Sequence, residues 1–174
     1  MNVVGLDLSI SATGIAWADD RVETITTSPR DGAIEARIET IVDRVMGANA
    51  WTPYNADVVA IEDVPYGAHG TVPLAMLHGV LRVHLHREGV PFVLIPPASL
   101  KKYATGRGNA KKPDLRMALY KRTGLDLADD NQVDAWWLRA MALDRYGHPA
   151  LDMPATHRDA LAKIEWPAPT GGDL

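Results

Sequence analysis

The hydrophobic period changes partway along this 174-residue chain, and the order of that change limits the folds open to it. Residues 3–28 carry three short runs, VVGLDLSIS, ATGIAWA and RVETITTS, parted by turn-forming Ser, Gly and Asp. Apolar residues at a period of two mark strands with one face on a core, and turns this short join antiparallel neighbours. From Ile34 the spacing lengthens: Ile34, Ile38, Ile41, Val42 and Val45 fall on one face of a helix that stops near Gly47. DVVAIED then reads as a short strand that is apolar on both faces and ends at Glu62, the type found inside a mixed sheet.

The second half repeats this scheme. After the Gly- and Pro-rich loop VPYGAHGTVP, Leu74, Leu77, Leu81 and Leu85 define a second helix. His78, His84 and His86 lie on or near it without a zinc-binding spacing and read as structural or surface residues. VPFVLIPP is a further buried strand, PASLKKYA a helical turn and TGRGNAKK a basic loop. Pro113 opens a helix that Gly124 closes, and ADDNQVDAWWLRAMALDRYG is the last long helix, capped by Asp129 or Asp130. Beyond Tyr146, prolines bracket the short helical stretch ATHRDALAKIEW, expected to pack on the body as a strap before a disordered TGGDL. The expected class is α/β, a five-stranded mixed sheet flanked by helices.

Composition narrows the chemistry. The chain has no cysteine, which excludes disulfides, zinc–thiolate sites and thiol catalysis, so any metal must be held by oxygen or histidine. No apolar run approaches a membrane span and no signal-like leader is visible, so a soluble, cytoplasmic protein is expected. The net charge of -4 is unevenly spread. Residues 101–122 hold Lys101, Lys102, Arg107, Lys111, Lys112, Arg116, Lys121 and Arg122 against Asp114 alone, a local balance of +7 that leaves -11 elsewhere. That is either a solvated helix face or a phosphate-binding segment beside an acidic body.

Asp7 interrupts an apolar run where Val or Ile would be cheaper to bury, so it is either a hydrogen-bonded core acid or part of a charged site. Glu62 ends the later buried strand, and Asp130 and Asp134 lie four apart on the last helix, on one face. If the two strands are neighbours and the helix packs over them, the acids meet. Several carboxylates in one pocket repel unless divalent cations neutralise them, and ligation by oxygen alone selects magnesium or manganese. Asp130 keeps its alternative reading as an N-cap.

In their order, GLDLSISATGIA, AIEDVPYG, SLKKYATGRGNAKKPDLRMAL and NQVDAWW resemble the RuvC-type Holliday junction resolvases of the ribonuclease H-like superfamily, over residues 1 to about 146. The resemblance implies a ribonuclease H-like nuclease domain over 1–146, three antiparallel strands followed by parallel ones, and a tail over 147–174. It implies a homodimer that makes paired cuts in four-way DNA junctions by two-metal hydrolysis, with two magnesium ions per site and manganese able to substitute. The host would be a bacterium or a phage-infected cell. Carried over by position, Asp7, Glu62 and Asp134 match metal ligands. The family's Asp or His three residues before the last Asp is replaced by Asn131, leaving the fourth ligand open between Asn131 and Asp130. Lys101 and Lys112 match basic residues near the scissile phosphate. Tyr66 falls where relatives place an aromatic that stacks on crossover bases, or it is a packed loop residue. Lys102, Arg107, Lys111 and Arg116 complete the expected nucleic-acid contacts.

Other branched DNA or RNA:DNA hybrids are the alternative substrates. Two further readings are weaker. GLDLSISATGIA also resembles the phosphate loop of actin-like ATPases, but 174 residues hold no second such loop. A non-catalytic nucleic-acid-binding protein would gain nothing from acids that repel phosphate.

Overall fold

The computed structural model describes residues 1–47, 55–64 and 71–170. Tyr66, most of the WTPYNA loop and the last four residues of TGGDL lie outside them. The strands are β1 (Val3–Asp7), β2 (Ala12–Ala16), β3 (Val22–Thr26), β4 (Val58–Glu62) and β5 (Phe92–Ile95), in the sheet order β3-β2-β1-β4-β5. β1–β2 and β2–β3 pair antiparallel, whereas β1–β4 and β4–β5 pair parallel. The expected mixed sheet, antiparallel first and parallel after, is therefore present.

The helices are α1 (Ile34–Met46), α2 (Thr71–Arg87), α3 (Pro97–Thr105), α4 (Lys112–Thr123), α5 (Asp130–Arg145) and α6 (Ala155–Arg158). Successive strand side chains face opposite ways, so each strand feeds two cores. Val4, Leu6, Val59 and Ile61 pack with Ile38, Ile41 and Val45 of α1 and Leu77, Leu81 and Leu85 of α2. On the other face Val3, Val58, Ala60 and Ile95 meet α3, α4 and α5. β5 differs from the buried strand expected: Phe92 and Leu94 are only partly buried, as befits a sheet edge.

α5 runs through the centre of the second core, with every residue from Val133 to Asp144 buried. Its docking depends on two glycines. A Cβ on Gly5 would stand 2.2 Å from the Ala135 carbonyl oxygen, and one on Gly14 would stand 2.1 Å from that of Asn131. Only glycine lets the helix backbone lie this close to β1 and β2. Arg139, buried on the same helix, donates to the Val3 and Ala18 carbonyls at 3.1 Å each and pairs with Asp20 at 2.7 Å. α5 is thus fixed against the sheet both by contact and by direction.

After Tyr146 the chain returns over this core. Met153, Ala160, Leu161 and Ile164 are buried in it, and Trp166 meets Tyr146 edge to face at 5.9 Å. No helix among the described residues is long and apolar enough to cross a membrane.

Candidate active site

Period two decides where the strand acids go. Asp7 shares a face with Val3 and Gly5, and Glu62 shares one with Val58 and Ala60, so both point toward α5. Leu6 is paired with Ile61 in parallel register, which sets Asp7 and Glu62 level on adjacent strands. α5, seated on Gly5 and Gly14, adds Asp134 from above. The three carboxylates come from chain positions far apart and line one cavity of about 410 Å³. Its other polar walls are Ser9, Asn131, Lys101 from α3 and Lys112 from the first turn of α4, over a floor that includes Leu100 and Leu115.

The electrostatics of this cavity follow from burial. Asp7 is 8% exposed, and its pKa stands well above the usual carboxylate range because it is desolvated, and next because Glu62 and Asp134 face it. A side-chain hydrogen bond between the Asp7 and Glu62 carboxyls raises Asp7 further. Burial raises Glu62 as well, against the lowering effect of that bond and of Lys101 and Lys112. Asp134 is pushed up to about 7, by burial first and then by Glu62, with Lys112 opposing. Carboxylates this close need either a shared proton or a cation between them.

Among the described residues, no three acidic or histidine groups converge tightly enough to grip an ion as they stand. The acids instead lean on one another through the Asp7–Glu62 hydrogen bond, an arrangement that ionisation would push apart. The donor set is oxygen from carboxylates, an amide and a hydroxyl, which suits a hard divalent cation and offers nothing to a soft one. On chemistry the residues fit such an ion.

The structure separates the two residues left open at the start of α5. Asp129 is the N-cap, accepting from the Asn131 backbone N–H at 2.9 Å, so the capping role expected of Asp129 or Asp130 falls to Asp129. The Asn131 side-chain amide also donates to Asp129 at 2.8 Å. A carboxylate accepts only, so this bond fixes the Asn131 Nδ2 toward Asp129 and turns its Oδ1 away. Asn131 lines the cavity, whereas Asp130 does not: its side chain is 45% exposed, with Lys112 Nζ at 4.0 Å. The four-residue spacing put Asp130 and Asp134 on one face, but the face α5 turns to the sheet passes through Asn131 and Ala135, one step round the helix.

Among the described basic residues, Lys101 and Lys112 alone reach the cavity. Lys102 lies 3.9 Å from Asp159, Arg107 lies 3.7 Å from Asp114, and Arg116 pairs with Asp126 at 2.7 Å, all on the outer side of α3 and α4. Lys111 is exposed at the entrance to α4. His78 is buried and pushed down to about 4 by desolvation, which keeps it neutral, while His86 is exposed. Sequence reasoning missed Gly5, Gly14 and Arg139. A glycine inside a strand pattern was the available signal for the first two.

Comparison with known proteins places this geometry in context. A family model described as Crossover junction endodeoxyribonuclease RuvC matches residues 4–150. Relatives bearing the same description include one from Synechococcus sp. (strain WH7803), 29% identical over 78% of this chain and 93% of the relative. Another, from Prochlorococcus marinus (strain MIT 9211), is 27% identical over 77% of this chain and 87% of its own length. Among solved structures, Thermus thermophilus RuvC superposes with a TM-score of 0.68 at 21% identity, covering 88% of this chain and all of that one. The same protein in complex with Holliday junction substrate gives 0.67 at 20% identity, over 88% of this chain and 99% of that one. At these identities the structures speak for the fold.

Proposed function

The chain belongs to the crossover junction endodeoxyribonuclease RuvC family, and from that membership together with the acid cavity we propose how it acts. It is a metal-dependent endonuclease that resolves Holliday junctions. The observation that carries the mechanism is the convergence of Asp7, Glu62 and Asp134 in one cavity walled by Lys101 and Lys112.

We assign the metal-holding role to Asp7, Glu62 and Asp134, with the Asn131 Oδ1 as the fourth oxygen and Asp130 at the rim. Two magnesium ions per site, replaceable by manganese, suit this donor set. The chemistry such ions supply when bound is activation of the attacking water and stabilisation of the leaving 3′ oxygen. Lys101 and Lys112 bring positive charge to one wall of the cavity, and so would offset charge developing on a phosphate bound there. Lys102, Arg107, Lys111 and Arg116 lie outward of that wall and are assigned to the DNA backbone. Tyr66, four residues after Glu62 in the sequence, is assigned to bases exposed at the crossover.

Paired cuts on two crossing strands need two such sites, so a twofold homodimer is proposed. Val72, Met76, Val80 and Val83 are exposed at intervals that set them along one stripe of α2, on the side away from the buried leucines. That stripe supports α2 as the dimer contact. A cytoplasmic location in a bacterium or phage-infected cell accords with this role.

The test is cleavage of a synthetic four-way junction, a flap, a linear duplex and an RNA:DNA hybrid, each with magnesium and with chelator. Magnesium-dependent, symmetric nicks on the junction alone are expected. Equal cutting of the hybrid or the flap would replace the substrate assignment.

A further inference from the structure

The segment after Tyr146 is more than a cover for the core, because its consecutive residues His157, Arg158 and Asp159 reach α3 either directly or through Asp144 of α5. The family match ends at residue 150, so α6 lies beyond it. His157 Nδ1 stands 2.8 Å from the Tyr103 carbonyl oxygen, which can only accept, so Nδ1 carries the proton. The opposite edge of the same ring is wedged against the end of α3. Its Nε2 would be 2.9 Å from a Cβ on Gly106, the left-handed residue that terminates that helix.

Next along the chain, Arg158 grips Asp144 with two nitrogens, at 2.8 and 3.1 Å. The same carboxylate accepts from the Tyr103 hydroxyl at 3.0 Å. Asp144 is 3% exposed, so its charge depends on these partners, and through it Arg158 is joined to Tyr103. Asp159 adds a longer ion pair to Lys102 at 3.9 Å. Of three consecutive residues of the segment, His157 and Asp159 therefore hold α3 directly, by its backbone and by Lys102, and Arg158 holds the α5 carboxylate to which the buried α3 hydroxyl is bound.

α3 has only nine residues, and it is the helix that carries Lys101 into the acid cavity. Apolar contacts through Leu100, Tyr103 and Ala104 keep such a helix buried but resist sliding and rotation poorly, whereas directional bonds fix both. We propose that Arg158, with Asp144 and Tyr103, is a positioning residue for catalysis: it holds α3 in the register that places the Lys101 ammonium at the scissile phosphate. This inference rests on the role given to Lys101 above.

A double-mutant cycle on the full chain, with magnesium and saturating four-way junction, tests it. Single-turnover cleavage, junction affinity and melting temperature are measured for Arg158→Met, Tyr103→Phe, Lys101→Met and the two doubles with Lys101→Met, all well below each melting midpoint. Arg158→Met is expected to slow cleavage about tenfold with affinity unchanged within about twofold, since small misplacements act on the chemical step. Tyr103→Phe leaves the Arg158–Asp144 pair intact and cuts only the tie to α3, so it decides the matter if Arg158→Met folds poorly. Its loss is expected in the same direction. In the Lys101→Met background neither change should slow cleavage further, because there is no ammonium left to position. Losses that multiply independently of Lys101, or wild-type rates for folded Arg158→Met and Tyr103→Phe, overturn the positioning role while leaving Lys101 in place. A wild-type rate for Lys101→Met alone overturns the role of Lys101 and this inference with it.

Discussion

Replacing Asp134 by asparagine should stabilise the chelated protein, and by an amount that depends on pH in a predictable way. In the folded chain burial and Glu62 push Asp134 up to about 7 from an ordinary value of 3.8. A carboxyl raised on folding binds its proton more tightly in the native state, so stability is highest when it is protonated and falls as pH rises from the unfolded value to the folded one. At 1.36 kcal/mol per unit, the cost of holding Asp134 reaches about 4 kcal/mol once pH exceeds 7, and is less than half of that at pH 5. Asparagine carries no such cost. The stability difference between Asp134→Asn and wild type should therefore grow by about 3 kcal/mol between pH 5 and pH 8, and level off above that. Using the difference matters because His78, pushed down to about 4, contributes the opposite slope: its stabilisation is present above 6.5 and is lost as pH falls. That contribution is common to both proteins and cancels. Urea unfolding in chelator at several pH values measures the quantity directly. Added magnesium at pH 8 should stabilise wild type more than the variant, since a ligand that binds only the native state adds to its stability. A difference that stays flat from pH 5 to pH 8 would refute the reasoning that the acid cavity is electrostatically loaded.

Other expectations follow from the same geometry. Asp7→Asn should abolish cleavage in magnesium while retaining or tightening junction binding, because it removes both a ligand and a negative charge facing phosphate; turnover near wild type would sink the metal assignment. Asn131→Ala should raise the magnesium concentration needed for half-maximal cleavage, whereas Asp130→Ala should leave that titration in place; the reverse order would make Asp130 the fourth ligand. Gly14→Ala forces a methyl into the backbone of α5 and should destabilise the fold by about 2–3 kcal/mol, read from the urea midpoint. Neutralising Lys111 with Lys112 should weaken junction and duplex alike and reduce the salt slope by about one to two, while Tyr66→Ala should cost about 1–3 kcal/mol on the junction and little on duplex, measured by competition binding.

The parts of this molecule legible in its sequence are those governed by local periodicity. Alternation over residues 3–28 and the largely apolar VVAIE and FVLI runs define the five strands, and the ordered resemblance supplies their pairing. Asp7 and Glu62 could be placed because a period of two leaves no freedom about which face they share. Asn131 and Asp130 could not be separated, since a one-residue change in which aspartate caps α5 turns the helix by about 100°. Gly5 and Gly14 were passed over as turn and strand residues, because what they accommodate is a helix more than a hundred residues away. The segment after Tyr146 carries isolated apolar residues among prolines, a pattern that predicts packing but gives no hint that His157 binds α3 and Arg158 binds Asp144 of α5.

The seating of α5 also bears on the order in which the acid cavity can be assembled. A nascent chain emerging from the ribosome presents Asp7 and Glu62 early, on strands that can pair as soon as both are out. Asp134 arrives only with α5, and α5 can dock only onto a sheet whose first two strands already expose Gly5 and Gly14. Lys101 and Lys112, carried on intervening helices, close the cavity against that same helix. A chain that stops before α5 therefore lacks Asp134 and Asn131 and with them one wall of the cavity. On the roles proposed for these acids, a chain cut short of α5 should therefore hold Asp7 and Glu62 without Asp134 and fail to hydrolyse DNA.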